Sequence, residues 1–172
     1  MLLDLTVIDD IQIGVCSLLA VIAVWLLVEF KGMKTEIQKR MDIKHETLRL
    51  RLQAYERLTI FAERASLKNL VSRTSYSGAS VVDVQLALLE ALRTEYEHNV
   101  SQQIYVTAEM WKAITNLKDQ NAYIINQIAG NLSSQAPGIE LSKRILEYSS
   151  MKNAELSLFV LDALQFEAKR VF

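Results

Sequence analysis

The stretch EYEHNVSQQ, residues 95–103, gathers the side chains best suited to chemistry. Glu95 and His98 stand three apart, which puts both on one helix face, and E-x-x-H is the spacing by which four-helix bundles hold a pair of iron ions. That site needs two such pairs and two further acids. The nearest second pair is Asp42 with His45, in a charged segment close to a long apolar stretch, and the chain has only two histidines. Glu95 and His98 are thus weak metal candidates, and no metal or other cofactor is expected. The favoured reading is a polar network. In it Glu95, Glu97, His98, Asn99, Gln102 and Gln103 tie their helix to a neighbouring loop or form a partner surface, because buried amides must find partners.

Nothing else in the chain suggests catalysis. There is no G-x-S-x-G, Gly-rich phosphate loop, H-E-x-x-H or Cys–His pair, and no enzymatic activity is expected. Cys16 is the only cysteine, so neither a disulfide framework nor a Cys-based zinc site can form within the chain. Tyr105, Trp111 and Tyr123 fit core positions better than a ligand groove. With 19 basic and 20 acidic residues the formal charge is −1, which gives no field to attract nucleic acid. One proline and five glycines in 172 residues, amid abundant helix formers, point to an all-α chain.

The element that organises this chain is residues 11–28, eighteen residues with no charge and only Gln12 and Ser17 polar. At about 1.5 Å per residue the stretch reaches about 27 Å, the thickness of a bilayer's hydrocarbon layer. Residues 11–30 are therefore expected to form a transmembrane helix. The leader MLLDLTVIDD carries Asp4, Asp9 and Asp10 and no basic residue, unlike a cleavable signal peptide, so residues 1–10 are expected to remain as a short extracytoplasmic terminus. Five basic residues follow the span (Lys31, Lys34, Lys39, Arg40 and Lys44) and none precedes it, which places the C-terminal side in the cytoplasm. Trp25 and Phe30, with Lys31, Lys34, Lys39 and Arg40, mark the membrane interface. The span interior lacks the ionisable groups of an ion path. Gly14, Ser17 and Ala20 are spaced to admit a close helix neighbour.

Residues 31–47 read as a charged juxtamembrane stalk helix. Met41, Leu48 and Tyr55 alternate with Gln38, His45 and Leu52 as half of a coiled-coil seam, which leaves open a solvated stalk or self-association. The clustered cations also favour anionic lipid headgroups, an attraction weakened by Glu36, Asp42 and Glu46.

Residues 48–172 read as a cytoplasmic helical domain, a bundle of about four to five helices. Its first helix carries two apolar rows, Leu48, Leu52, Tyr55, Thr59 and Ala62 beside Leu50, Ala54, Leu58, Phe61 and Ala65, which several helices must cover. Residues 66–80 gather Ser, Thr and Gly and predict a loop of about fifteen residues, a place for partner contact, with Leu67, Leu70 and Val71 tucked beneath. Ser80 and Asp83 signal a capped helix over 81–103, its buried face being Val82, Leu86, Leu88, Leu89, Ala91, Leu92, Tyr96 and Val100. Thr107 caps the next helix, whose stripe is Trp111, Ile114, Leu117, Ile124, Ile125 and Ile128, interrupted by Lys118 and Asn121, and which ends near Gly130 and Asn131. After a break at 133–138 come a short helix over 141–148 and a long one over 153–171. In the latter, Leu158, Leu161, Leu164, Ala168 and Phe172 align, and the terminal Phe172 is expected to dock.

At LRLRLQAYERLTIFAERASLKNLVSR, residues 48–73, and LALLEALRTEYEHNVSQQIYVTAEMW, residues 86–111, the chain resembles an uncharacterised family of small single-pass bacterial inner-membrane proteins with a cytoplasmic helical domain. The likeness extends to residues 138–146 and to the terminal helix. A proline associated with the start of the first block is absent, residues 43–47 standing there instead, so the stalk is expected to enter the domain unbroken. The resemblance implies a bacterial inner-membrane protein but no substrate, cofactor or catalytic residue.

The function expected is a membrane-anchored protein–protein interaction module, an accessory or scaffold subunit of an inner-membrane complex or a homo-oligomer. Its partners are membrane lipid and other membrane-complex proteins or itself, without nucleic acid. The alternatives are a membrane-tethered enzyme or metal protein using Glu95 and His98, and an anionic-lipid-binding organiser of the envelope.

Overall fold

A computed structural model describes residues 2–74, 78–151 and 155–170, with side chains from residue 14 onward. The chain is all-helical: α1 (Leu2–Ala65), α2 (Leu67–Arg73), α3 (Val81–Asn99), α4 (Ala108–Gly130), α5 (Gly138–Ser149) and α6 (Leu156–Lys169), with a 3-10 turn at Val100–Ile104 between α3 and α4. It divides into two compact units, Met1–Thr47 and Leu48–Phe172.

The first unit is helix throughout its described length, and α1 runs unbroken through residues 43–47. Among the described residues one helix is long and apolar enough to cross a membrane, and none of its apolar window is buried. The Ser17 hydroxyl donates to the Gly14 carbonyl at 2.8 Å, so this polar side chain is satisfied by its own helix. Further along, Arg40 bonds Glu36 at 3.1 Å and Gln38 bonds Asp42 at 3.0 Å. Gln12 and the acidic leader residues have side chains outside the described ones.

The second unit holds the core. Residues Ala54, Tyr55, Leu58, Phe61, Ala62 and Ala65 of α1 are buried against Leu88 and Leu92 of α3, Ile114, Leu117 and Ile125 of α4, Leu141 and Ile145 of α5, and Val160 and Leu164 of α6. Tyr55 is only 3% exposed, so the seven-residue series Met41, Leu48, Tyr55 ends inside the body and offers no free seam there. Thr59, expected in the buried rows, is exposed and bonds back to the Tyr55 carbonyl.

Several predicted boundaries shift. Half of the loop expected over 66–80 is helix: Ser66 accepts from the Asn69 amide and starts α2, because Leu67, Leu70 and Val71 have a core to bury into. α3 starts on the expected capping box, Ser80 with Asp83, but ends at Asn99 and not at Gln103. Its buried residues are Val81, Val84, Leu88, Leu92 and Asn99, whereas Val82 and Leu86 are exposed. The apolar residues of α3 nearly encircle it, and packing against α4 and α5 selects one stripe. In α6 the buried positions are Ser157, Val160 and Leu164, while Leu158 faces solvent. Asn153, Val171 and Phe172, with the expected docking of the terminal Phe172, lie outside the described residues.

The residues expected to interrupt the α4 stripe belong to it. Asn121 is 2% exposed and bonds the Ala65 carbonyl, and the Lys118 ammonium sits 4.8 Å from the Tyr96 ring centre. That ring also packs on Phe61 and Trp111, at centroid distances of 6.2 and 5.5 Å.

The starts of α3 and α5 are fastened together. Val81 N–H donates to the Ala136 carbonyl at 2.9 Å and Gly138 N–H to the Ala79 carbonyl at 2.8 Å, an isolated antiparallel bridge between Ser80 and Pro137. Gly138 is buried, and a Cβ there would collide with the Val84 side chain and lie 3.0 Å from the carbonyl oxygens of Ala79 and Ser80. The bridge follows Gly78, whose φ of +73° is the left-handed conformation that glycine adopts without cost.

Candidate interaction and polar sites

The polar side chains of residues 95–103 divide. α3 aims Glu95 at α1 and α2, where one carboxylate oxygen takes Arg64 Nε at 2.7 Å and Arg73 Nη1 at 3.1 Å. Burial alone raises the Glu95 carboxyl; the hydrogen bonds and charges of Arg64 and then Arg73 outweigh it and hold the group below the usual carboxylate range. Arg73 also reaches the Arg64 carbonyl at 2.6 Å, closing a clamp over the turn from α1 into α2. No single residue type signalled this clamp, since Arg64 and Arg73 come from segments 31 and 22 residues before Glu95.

The other members go elsewhere. Asn99 is buried and its amide donates to the Glu95 carbonyl at 2.8 Å, which ties off the last turn of α3. Glu97 pairs with Arg93 one turn back at 2.7 Å, in solvent. The His98 side chain is exposed, and its carbonyl accepts from Arg57 at 3.3 Å. Gln102 bonds Ser101, and Gln103 is exposed. A shallow groove of about 600 Å³ runs beside Arg57, Arg64, Glu95 and His98. Among the described residues no group of three or more His, Cys, Asp and Glu is placed to hold a metal ion.

A second polar knot escaped the sequence reading. The Thr107 hydroxyl donates to Glu167 Oε1 at 2.6 Å while accepting from the Met110 amide as the α4 cap, and the Tyr55 hydroxyl donates to Glu167 Oε2 at 3.1 Å. Burial, opposed by the Arg51 hydrogen bond and reinforced by Glu167, raises the Tyr55 phenol above its ordinary value, so it remains a donor. One carboxylate on α6 thereby joins α1 and the start of α4.

Four of the second unit's exposed apolar side chains meet where α5 and α6 lie side by side. Leu146, Met151, Leu158 and Phe159 line a groove of about 650 Å³, with Lys68, Glu155 and Asp162 supplying its charges. Leu158 and Phe159 are 62% and 56% exposed, although Ser157 and Val160 on either side of them are buried. α6 therefore has one face in the core and, beside it, an apolar face that is exposed among the described residues. Along α1, Trp25, Phe30, Lys31, Lys34, Lys39 and Arg40 are all exposed.

No curated protein and no solved structure matches the chain. The family comparison does find a match, covering residues 6–171, and on it the chain belongs to DUF7935, a family of unknown function.

Proposed function

We propose that this protein is a membrane-anchored interaction module, an accessory or scaffold subunit whose helical body docks other proteins of a bacterial inner-membrane complex. The observation that carries the reading is the α5–α6 groove, where Leu158 and Phe159 stay exposed on an otherwise core-forming helix. Two acids and one lysine in the groove suit an amphipathic partner helix with basic residues beside its apolar face. The anchor rests on the unburied apolar window of α1. The five cations after that window, against none before it, support an N-out, C-in orientation. Glu95 is engaged by two arginines, which favours a structural duty for it over ligation.

A photo-crosslinker at Phe159 of the full-length protein in native membranes tests this. The expected product is a discrete adduct whose added mass is not a multiple of the 19.6 kDa chain. It disappears in Leu158→Ser and is not formed from a crosslinker at the exposed Tyr123. A sole monomeric species in mild detergent with no Phe159 adduct overturns the interaction reading. Recovery of the chain from the soluble fraction overturns the anchor, and digestion of the C-terminal body by protease outside intact cells overturns the orientation.

A further inference from the structure

We propose that a second copy of this chain lies parallel to the first along the face of α1 formed by Phe30, Met33, Ile37 and Met41. The inference rests on the membrane anchor proposed above. These four residues are 63%, 56%, 53% and 49% exposed, and their spacing of three, four and four keeps them on one line of an α-helix. Lipid can reach only the start of that line. Ile37 and Met41 lie about 10 and 16 Å along the axis beyond Phe30, where the span ends, at about 1.5 Å per residue, while the interfacial layer is about 5–8 Å deep. The far half of the stripe therefore stands in water unless protein covers it.

The charges beside the stripe select a parallel copy. Glu29 precedes Phe30 and Lys34 follows Met33, so with Phe30 and Met33 on the seam these two occupy its opposite flanks. In a parallel pair the Glu29 carboxylate of each copy faces the Lys34 ammonium of the other, twice by symmetry. Arg40, which would crowd the seam at the next turn, is drawn to Glu36 on its own helix at 3.1 Å. Lys44 falls on the same line and ends the apolar run, limiting the contact to about three turns. So short a contact is weak in free solution. Two chains inserted in one bilayer in one orientation meet already aligned, and the shared membrane raises their effective concentration.

The test uses the full-length chain in membranes, with Cys16→Ser and one new cysteine at a time. Oxidation is expected to give several-fold more disulfide-linked dimer from Met33→Cys and Ile37→Cys than from Ile43→Cys, which is as exposed but points about 120° off the line. In the Ile37→Cys background, Glu29→Lys or Lys34→Glu alone is expected to lower the yield several-fold, and the double exchange to restore it. Equal yields at 37 and 43, no dimer at either, or a double exchange no better than the singles overturns the pairing. If the Phe159 adduct persists in that case, the interaction reading stands without the pairing. Loss of both overturns the two together.

Discussion

The Nδ2 of Asn121, in the middle of α4, donates to the carbonyl oxygen of Ala65, the last residue of α1, at 2.8 Å. A helix leaves its last four carbonyls without partners, and this one ends in the core, where water cannot reach it. Asn121 supplies the missing donor from across the interface. Asn121→Leu keeps the branching at Cγ but strands the carbonyl, and is expected to cost about 1–3 kcal/mol. Urea unfolding of the full-length protein in detergent checks it, and stability equal to the parent would remove Asn121 from this role.

That pair also shows where sequence reading stops. The helical class, the Ser80–Asp83 and Thr107 caps and the break near Pro137 are legible because each is local: a hydroxyl and an acid three apart, or proline beside glycine, act on their own backbone. Asn121 reads as a defect in the α4 stripe because its partner is 56 residues away. The same holds for Glu95, whose sequence neighbour His98 invites a ligand reading while its actual partners lie on α1 and α2. Glu167 carried no local signal at all, since Tyr55 and Thr107 meet it only through the packing of α6. Val82 and Leu86 face solvent for a related reason. A helix apolar on most sides does not say which side its neighbours take.

Gly138 holds the starts of α3 and α5 in contact. Its Cα faces Val84 and the carbonyls of Ala79 and Ser80 with no room for a methyl group. Gly138→Ala must push these apart and strain the two-bond bridge between Ser80 and Pro137. A loss of about 1–3 kcal/mol is expected, read as a lowered melting temperature. At Gly130 a Cβ meets nothing within 4 Å, and Gly130→Ala serves as the harmless control.

Thr107 acts twice, as the α4 cap and as a donor to Glu167. Thr107→Val removes both bonds at nearly constant volume, and about 1–2 kcal/mol of stability should go with them. Thr107→Ser keeps both and should behave as the parent. Hydrogen exchange locates the effect: faster exchange is expected in the first turn of α4 and through α6, while α2 is unaffected. Uniform acceleration across the body would mean that Glu167 does not fasten α6 in particular.

Glu95 gives the fold a dependence on acid. Its carboxyl in the folded protein is held below its ordinary value of 4.5, burial being outweighed by Arg64 and then Arg73. A depressed carboxyl contributes stability that is fully present above the unfolded-state value and is lost as pH falls through the folded one. Glu95→Gln removes that charge at every pH. It is expected to cost about 1–2 kcal/mol at pH 7, with the difference from the parent narrowing as pH falls below the ordinary value of 4.5 and the parent's own carboxylate is neutralised. His98→Gln should leave the stability at pH 7 unchanged, because the His98 ring is exposed and only its carbonyl is engaged, by Arg57. Stability of the parent and both variants measured from pH 3 to pH 7 decides the matter. A Glu95→Gln deficit that stays constant across the range would show that the carboxylate's charge plays no part in closing the α1–α2 turn.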